Sequence, residues 1–368
     1  MTPPRSRAPS PIRVMVVDDS AAIRGTWARL VDAEPDMSVV AAARNGRTAL
    51  EILARRPVDV VLLDVEMPEM DGISALPHIL HDRPHVRVIM ASSLTQRGAE
   101  VTIRALSLGA ADYVTKPSAA SGGGLEAVAA ELLRKIRALA PHADTRVAAD
   151  PGARTDSGGA PPAPVPGWRA PHVPAPLPRA VVVASSTGGP KALTTVLANL
   201  PAEFPLPIVI VQHMPAMFTA MLAERLARES GRACAEAEGG QAPRAGHVYV
   251  APGDRHLLLE RRSGEVVLAL SDDDPVNFCR PSADPLFRSA ARVYGAAVVG
   301  VILTGMGHDG LEGARTLAEV GAPLLVQDEA TSVVWGMPGA VVRAGLTSQV
   351  VPVDRIAAHI DRTVGARR

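Results

Sequence analysis

The chain has 368 residues, room for two domains or a little more at about 150 residues each. Lys plus Arg and Asp plus Glu both number 38, so the formal net charge is zero, and aromatic residues make up only 3%; a broadly basic nucleic-acid or anionic-membrane surface, and a base-stacking platform, are excluded. Two cysteines, Cys234 and Cys279, are too few for a disulfide framework or a structural zinc site. The start MTPPRSRAPSPIRV lacks an apolar signal core and no run nears the roughly 18 apolar residues of a membrane span, so a reducing cytoplasm is expected.

In chain order, strands are predicted at Arg13–Val17, Met37–Ala42, Val58–Leu63, Val86–Ala91 and Asp112–Thr115, with helical patterns between them and a last helix from Leu125. Such alternation predicts a five-stranded parallel sheet covered on both faces. From about Pro141 to Pro178 the composition turns to Ala, Pro, Gly and charge, including ADPGARTDSGGAPPAPVPG. Little there can form a core, and residues 141–178 read as an interdomain linker. The domains are then expected at 11–140 and 179–365. The second begins with a strand at Ala180–Ala184, the loop SSTGGP and a helix from about Pro190. A strand at Pro207–Gln212 and a helix over Thr219–Glu229 follow. A hairpin-rich middle (HVYVAPGDRHLLLE, EVVLAL) comes next, then a helix around Ala283–Tyr294, the strand AAVVGVILT, a helix from about Gly310 and the strand APLLVQ. The expectation is α/β again, with an antiparallel hairpin insertion.

Parallel sheets gather functional groups at the carboxyl ends of their strands. In the first domain those ends carry Asp18 and Asp19, Asp64, Ser92 and Lys116. Carboxylates sharing one crevice need a cation. Oxygen ligands suit Mg²⁺, and a carboxylate beside it can accept a phosphoryl group whose oxygens Lys116 and Ser92 would bind.

The strings VMVVDDS, VVLLDVEMPEMDG, VIMASS and GAADYVTKP resemble the receiver domain of two-component response regulators, over about Ile12 to Ala140. The resemblance implies a doubly wound, flavodoxin-like fold with Asp64 as phosphoacceptor. It also implies Mg²⁺ on Asp19, Asp64 and the Glu66 carbonyl with Asp18 assisting, Ser92 and Tyr113 as the switch pair, and Lys116 on the phosphoryl group. Asp18-Asp19 alone would read as a solvated strand end.

In VVVASSTGGPKAL a strand runs through a tight loop into a helix. Gly188 and Gly189 are expected to allow a turn with positive φ, and Pro190 suits the first helical turn. Ser186 then sits at a strand end near a helix N-terminus, where backbone N–H groups can stabilise an oxyanion. Taken alone it reads more readily as a helix cap or phosphate-loop residue, and Ala184 departs from the G-x-S-x-G elbow. A serine nucleophile needs a base and an orienting carboxylate. His213 ends the strand PIVIVQ, and Asp309 follows VVGVIL in TGMGHDG. Singly these read as a loop histidine and a helix cap; together they fall on one sheet edge. The order Ser, His, Asp is not that of an α/β-hydrolase.

The strings SSTGGP, VIVQHMP, HVYVAPGDRH, RPSADPLF, GVILTGMGHDG and QDEATSVVWGMP resemble the catalytic domain of the chemotaxis protein-glutamate methylesterases, the CheB family, over Arg179 to about Thr363. The resemblance implies a Rossmann-like α/β fold with Ser186 as nucleophile, His213 as base and acid, and Asp309 as orienting carboxylate. Thr187 and Met306 fall at the oxyanion site and active-site wall. Ala184-Ser185 replaces the family's usual Gly-Ala, and His308 stands where Asn is common, which raises the question of its effect on the triad's pKa. It implies no cofactor for the esterase. The expected partners are chemoreceptors as substrate and a histidine kinase as phosphodonor, with no nucleic acid, no direct membrane insertion and a monomeric state. The remaining conspicuous groups have bland readings: Asp272 to Asp274 as a solvated turn, Cys279 as a packed thiol, His247 and His256 without ligand spacing, and Arg280 as either an ion-pair residue or a substrate contact. A non-catalytic or a DNA-binding response regulator are the competing readings.

Overall fold

The computed structural model describes residues 10–93, 95–116, 124–140 and 176–365. Most of the expected linker, 141–175, lies outside the described residues. The chain divides into two compact units, Met1–Pro164 and Val165–Arg368.

The first unit holds β1 (Ile12–Val17), α1 (Ala21–Asp32), β2 (Met37–Ala43), α2 (Gly46–Leu53), β3 (Val60–Asp64), α3 (Gly72–Asp82), β4 (Arg87–Ser92), α4 (Gln96–Leu108), β5 (Asp112–Thr115) and α5 (Gly124–Leu139). The sheet order is β2-β1-β3-β4-β5, and every pairing is parallel. β3 reads VVLLD and is buried throughout, as a strand covered on both faces must be. It starts two residues later than predicted. Asp59 does not extend the ladder's apolar run but turns its carboxylate to Arg13, whose guanidinium donates at 2.7 and 3.1 Å. Side-chain caps set helix starts: Ser20, Asn45, Asp71 and Thr95 each accept a backbone N–H of the first turn, contributing ~1 kcal/mol apiece. The order reverses between β1 and β3, which makes their carboxyl ends the binding crevice.

The second unit holds β6 (Ala180–Ser185), α6 (Gly189–Asn199), β7 (Ile208–Gln212), α7 (Ala216–Ser230), β8 (Cys234–Glu236) and β9 (Val248–Val250). It continues through β10 (His256–Arg262), β11 (Glu265–Ser271), α8 (Ala283–Tyr294), β12 (Val298–Ile302), α9 (Leu311–Glu319), β13 (Leu324–Gln327), α10 (Met337–Arg343), β14 (Gln349–Val351) and α11 (Val353–Gly365). Seven strands form one sheet in the order β14-β13-β12-β6-β7-β9-β8, all parallel. β10 and β11 make a separate antiparallel hairpin. The segment HVYV, read with the hairpin from sequence, is instead β9, parallel to β7. β8, β14, α10 and α11 were not anticipated. The central strands AVVVAS, IVIVQ and VVGVI are buried end to end. One face packs on α8, whose Leu286, Phe287 and Ala290 belong to one buried cluster with Leu257, Leu259 and Leu268 of the hairpin. Burying a side chain such as Phe287 contributes ~1.5–3 kcal/mol. This sheet's order reverses between β6 and β12, so the carboxyl ends of β6, β7 and β12 are where a site is expected.

Candidate active site

Ser186 follows β6 directly, and its N–H donates to the Thr304 carbonyl beyond β12 (3.0 Å). The chain then turns sharply into α6. Gly188 takes the left-handed conformation (φ 78°), but Gly189 does not. The expectation of positive φ holds for one glycine only. Gly189 is required for space: a Cβ there would stand 2.0 Å from Gln212 Oε1.

Two adjacent serines separate clearly. Ser185 is fully buried and its hydroxyl donates to Gln212 Oε1 at 2.7 Å, while Ser186 is partly exposed. Gln212 also donates from Nε2 to the Ser186 carbonyl at 2.9 Å. This buried amide braces the loop and was not singled out in the sequence. Thr187 is buried, and Thr304 Oγ1 donates to its carbonyl at 2.9 Å. Met306 is half-buried, and His308 is exposed.

His213 follows β7, its N–H on the Ser185 carbonyl (3.2 Å). Its Nε2 lies 2.8 Å from Asp309 Oδ2. Asp309 does not cap its own helix. Its carboxylate accepts Asn277 Nδ2 (2.8 Å), Ser282 Oγ (2.7 Å) and the Ala283 N–H at the start of α8 (2.7 Å). Burial alone would raise the Asp309 pKa. The bonds from His213, Ser282 and Ala283 outweigh it and hold the carboxyl far below the usual range. For His213, burial pulls the pKa down, and the Asp309 and Cys279 contacts more than reverse it, so the imidazolium is favoured. Asn277 also donates to buried Asp284 Oδ2 (2.8 Å), whose Oδ1 accepts the Gly313 N–H (2.6 Å).

Cys279 is the main correction at this site. Its Sγ is 3.7 Å from His213 Nδ1, so it is part of the centre rather than a packing thiol. No hydrogen bond joins Ser186 Oγ to the His213 ring among the described residues; such bonds commonly tighten only in the substrate complex. Arg280 donates to the backbone carbonyls of Asp272 and Asp273, and Asp272 pairs with Arg255. His256 is buried between the Ser282 N–H and the Asp274 carbonyl.

In the first unit, Lys116 Nζ bridges Asp18 (2.8 Å) and Asp64 (2.7 Å). Burial, offset by Lys116 and reinforced by Asp18, pushes the Asp64 carboxyl up to about 6. Asp18, Asp19 and Asp64 offer oxygens within 4.8 Å of one another, a hard, anionic donor set that fits Mg²⁺. Ser92 Oγ contacts the Gly98 carbonyl (3.2 Å) and Thr102 Oγ1 (2.7 Å) of α4. Tyr113 is buried, with Lys135 Nζ 4.8 Å from its ring centroid. Glu66 is exposed, its carboxylate 3.5 Å from Arg97.

Residues 181–360 match the family model described as CheB methylesterase, and residues 14–122 match the response regulator receiver domain. A protein-glutamate methylesterase/protein-glutamine glutaminase of Rhodospirillum centenum is 46% identical over 97% of this chain and 95% of its own. A second, from Caulobacter vibrioides, is 50% identical over 95% of this chain and 98% of its own. The chain belongs to the CheB methylesterase family. It is a carboxylic ester hydrolase of the protein-glutamate methylesterase/protein-glutamine glutaminase class, carrying a receiver domain. The non-catalytic reading is thereby set aside.

Proposed function

We propose that the enzyme hydrolyses glutamate methyl esters on the cytoplasmic helices of chemoreceptors, with Ser186, His213 and Asp309 as its catalytic groups. The observation that carries this reading is the 2.8 Å His213–Asp309 bond beside Ser186 at the reversal point of a parallel sheet. Ser186 Oγ attacks the γ-carbonyl of the ester. The Nε2–H of His213 is engaged by Asp309, so Nδ1 takes the serine proton and later delivers it to departing methanol. This is the opposite ring assignment to the usual serine-protease triad. The oxyanion forms near the N-terminus of α6, with Thr187 and Met306 as the residues expected at the oxyanion site and active-site wall. Water activated by the same nitrogen then releases glutamate. The same tetrahedral chemistry on a glutamine side chain releases ammonia.

Control is proposed to come from the receiver domain at 11–140, joined through 141–178 to the esterase at 179–365. A histidine kinase is the phosphodonor and Asp64 the acceptor. Asp18, Asp19, Asp64 and the Glu66 carbonyl would hold Mg²⁺, which when bound neutralises the carboxylates and draws in phosphoryl oxygens. Lys116 would move to the phosphoryl group, and Ser92 with Tyr113 would respond to it. A cytoplasmic, monomeric enzyme is part of the proposal. No described helix is long and apolar enough to cross a membrane. A serine-directed phosphonate is expected to label Ser186 alone by peptide mass. Labelling at Ser185, or equal labelling of Ser186→Ala, contradicts the assignment.

A further inference from the structure

His213, Cys279 and Asp309 each present one ligand atom, and the three lie within 4.8 Å of one another. Imidazole, thiol and carboxylate together suit a borderline-soft divalent ion rather than Mg²⁺. The spacing is informative. Zinc bonds of about 2.3 Å to sulfur and about 2.0 Å to nitrogen, at the tetrahedral angle, separate those atoms by roughly 3.6 Å. Cys279 Sγ and His213 Nδ1 are 3.7 Å apart. The opposite ring nitrogen rests on Asp309 at 2.8 Å. A carboxylate there holds the tautomer whose lone pair faces the metal. Asp309 already accepts from Asn277, Ser282 and Ala283, so it serves as the outer carboxylate.

The thiol is also held in place. Val276 and Cys279 exchange backbone hydrogen bonds at 3.1 and 2.9 Å across the Asn277-Phe278 turn, and Asn277 is anchored on Asp284 and Asp309. Cys279 is half-buried rather than sealed, which leaves an entry path.

We propose that His213 Nδ1 and Cys279 Sγ form a binding site for Zn²⁺ or a similar ion, and that its occupation switches the esterase off. On binding, the thiol proton and the Nδ1 proton of the imidazolium both pass to solvent, and the ion takes the freed Nδ1 lone pair. Water fills the remaining positions. The inhibitory half rests on the reading of His213 as the base, because metal and substrate proton then compete for one lone pair.

The test is a Co²⁺ titration of the full-length protein, followed by displacement with Zn²⁺. One equivalent of thiolate-to-cobalt absorption is expected. It should be lost in Cys279→Ser and in His213→Gln, and kept in Cys234→Ser; the half-buried Cys234 thiol is pushed up to about 12 by desolvation. Asp309→Asn should weaken binding about 10–100-fold. In parallel, Zn²⁺ should inhibit methanol release reversibly with EDTA. Cys279→Ser should need at least about tenfold more Zn²⁺, relative to its own metal-free rate. No cobalt–thiolate band in the wild type, or an equal band in Cys279→Ser, overturns the site. A band with no loss of ester hydrolysis keeps the site and contradicts His213 as the base.

Discussion

At the residue scale, Asp309 holds the centre's electrostatics together. The ring of donors around it keeps it ionised, and its bond to Nε2 favours the protonated imidazole. A raised His213 pKa means that the neutral, base-competent form appears only above the ordinary His value of about 6.5. The acid limb of kcat/KM is therefore expected above that value. Asp309→Asn removes the main upward influence, so the limb should move down while kcat falls about 10⁴-fold, as in comparable triads. A pH–rate profile of both proteins checks this; an unmoved limb contradicts it. Gln212 acts on position rather than charge. Gln212→Ala would leave the buried Ser185 hydroxyl with only the Val211 carbonyl at 3.5 Å in place of its 2.7 Å acceptor, at a cost of ~1–3 kcal/mol. Thermal unfolding should show the loss, and kcat should drop with it.

At the element scale, the loop from β6 to α6 has almost no slack. Gly189→Ala places a Cβ 2.0 Å from Gln212 Oε1 and 2.9 Å from Ser185 Cβ. The loop must shift, and overpacking of this kind costs ~1–3 kcal/mol. A lowered unfolding midpoint together with a large fall in kcat is expected; unchanged kcat would show that the loop is not a positioning device. Elements were legible where they are buried runs. VVLLD, AVVVAS and IVIVQ announce themselves as parallel strands, and Asp64, Ser186 and His213 follow from where those runs stop. β8 and β14 are three residues each, too short for any periodicity. β9 was drawn into the hairpin because HVYV and HLLLE share one alternation, and only sheet pairing tells them apart. Cys279, Asn277, Ser282 and Gln212 are not legible as site residues because their roles depend on contacts 27 to 66 residues away along the chain, invisible to local pattern. RPSADPLF marked the region without saying which atoms face His213.

At the scale of the whole molecule, two sites must be coupled. A phosphoryl group on Asp64 changes esterase activity only if it favours one arrangement of the protein over another. Coupling of this kind typically amounts to about 5–150-fold. Removing residues 1–178 should raise the basal rate if the receiver restrains the esterase. An unchanged rate in the truncated enzyme would contradict restraint. Asp64→Asn should retain the basal rate and lose the response to a phosphodonor.

The most direct test is methanol release from methylated receptor membranes. Wild type and Ser186→Ala are each assayed with and without a small phosphodonor plus Mg²⁺. Release that rises with the donor in the wild type and is abolished in Ser186→Ala is the predicted result. Release that persists in Ser186→Ala, or no release from wild type phosphorylated at Asp64, would contradict the account.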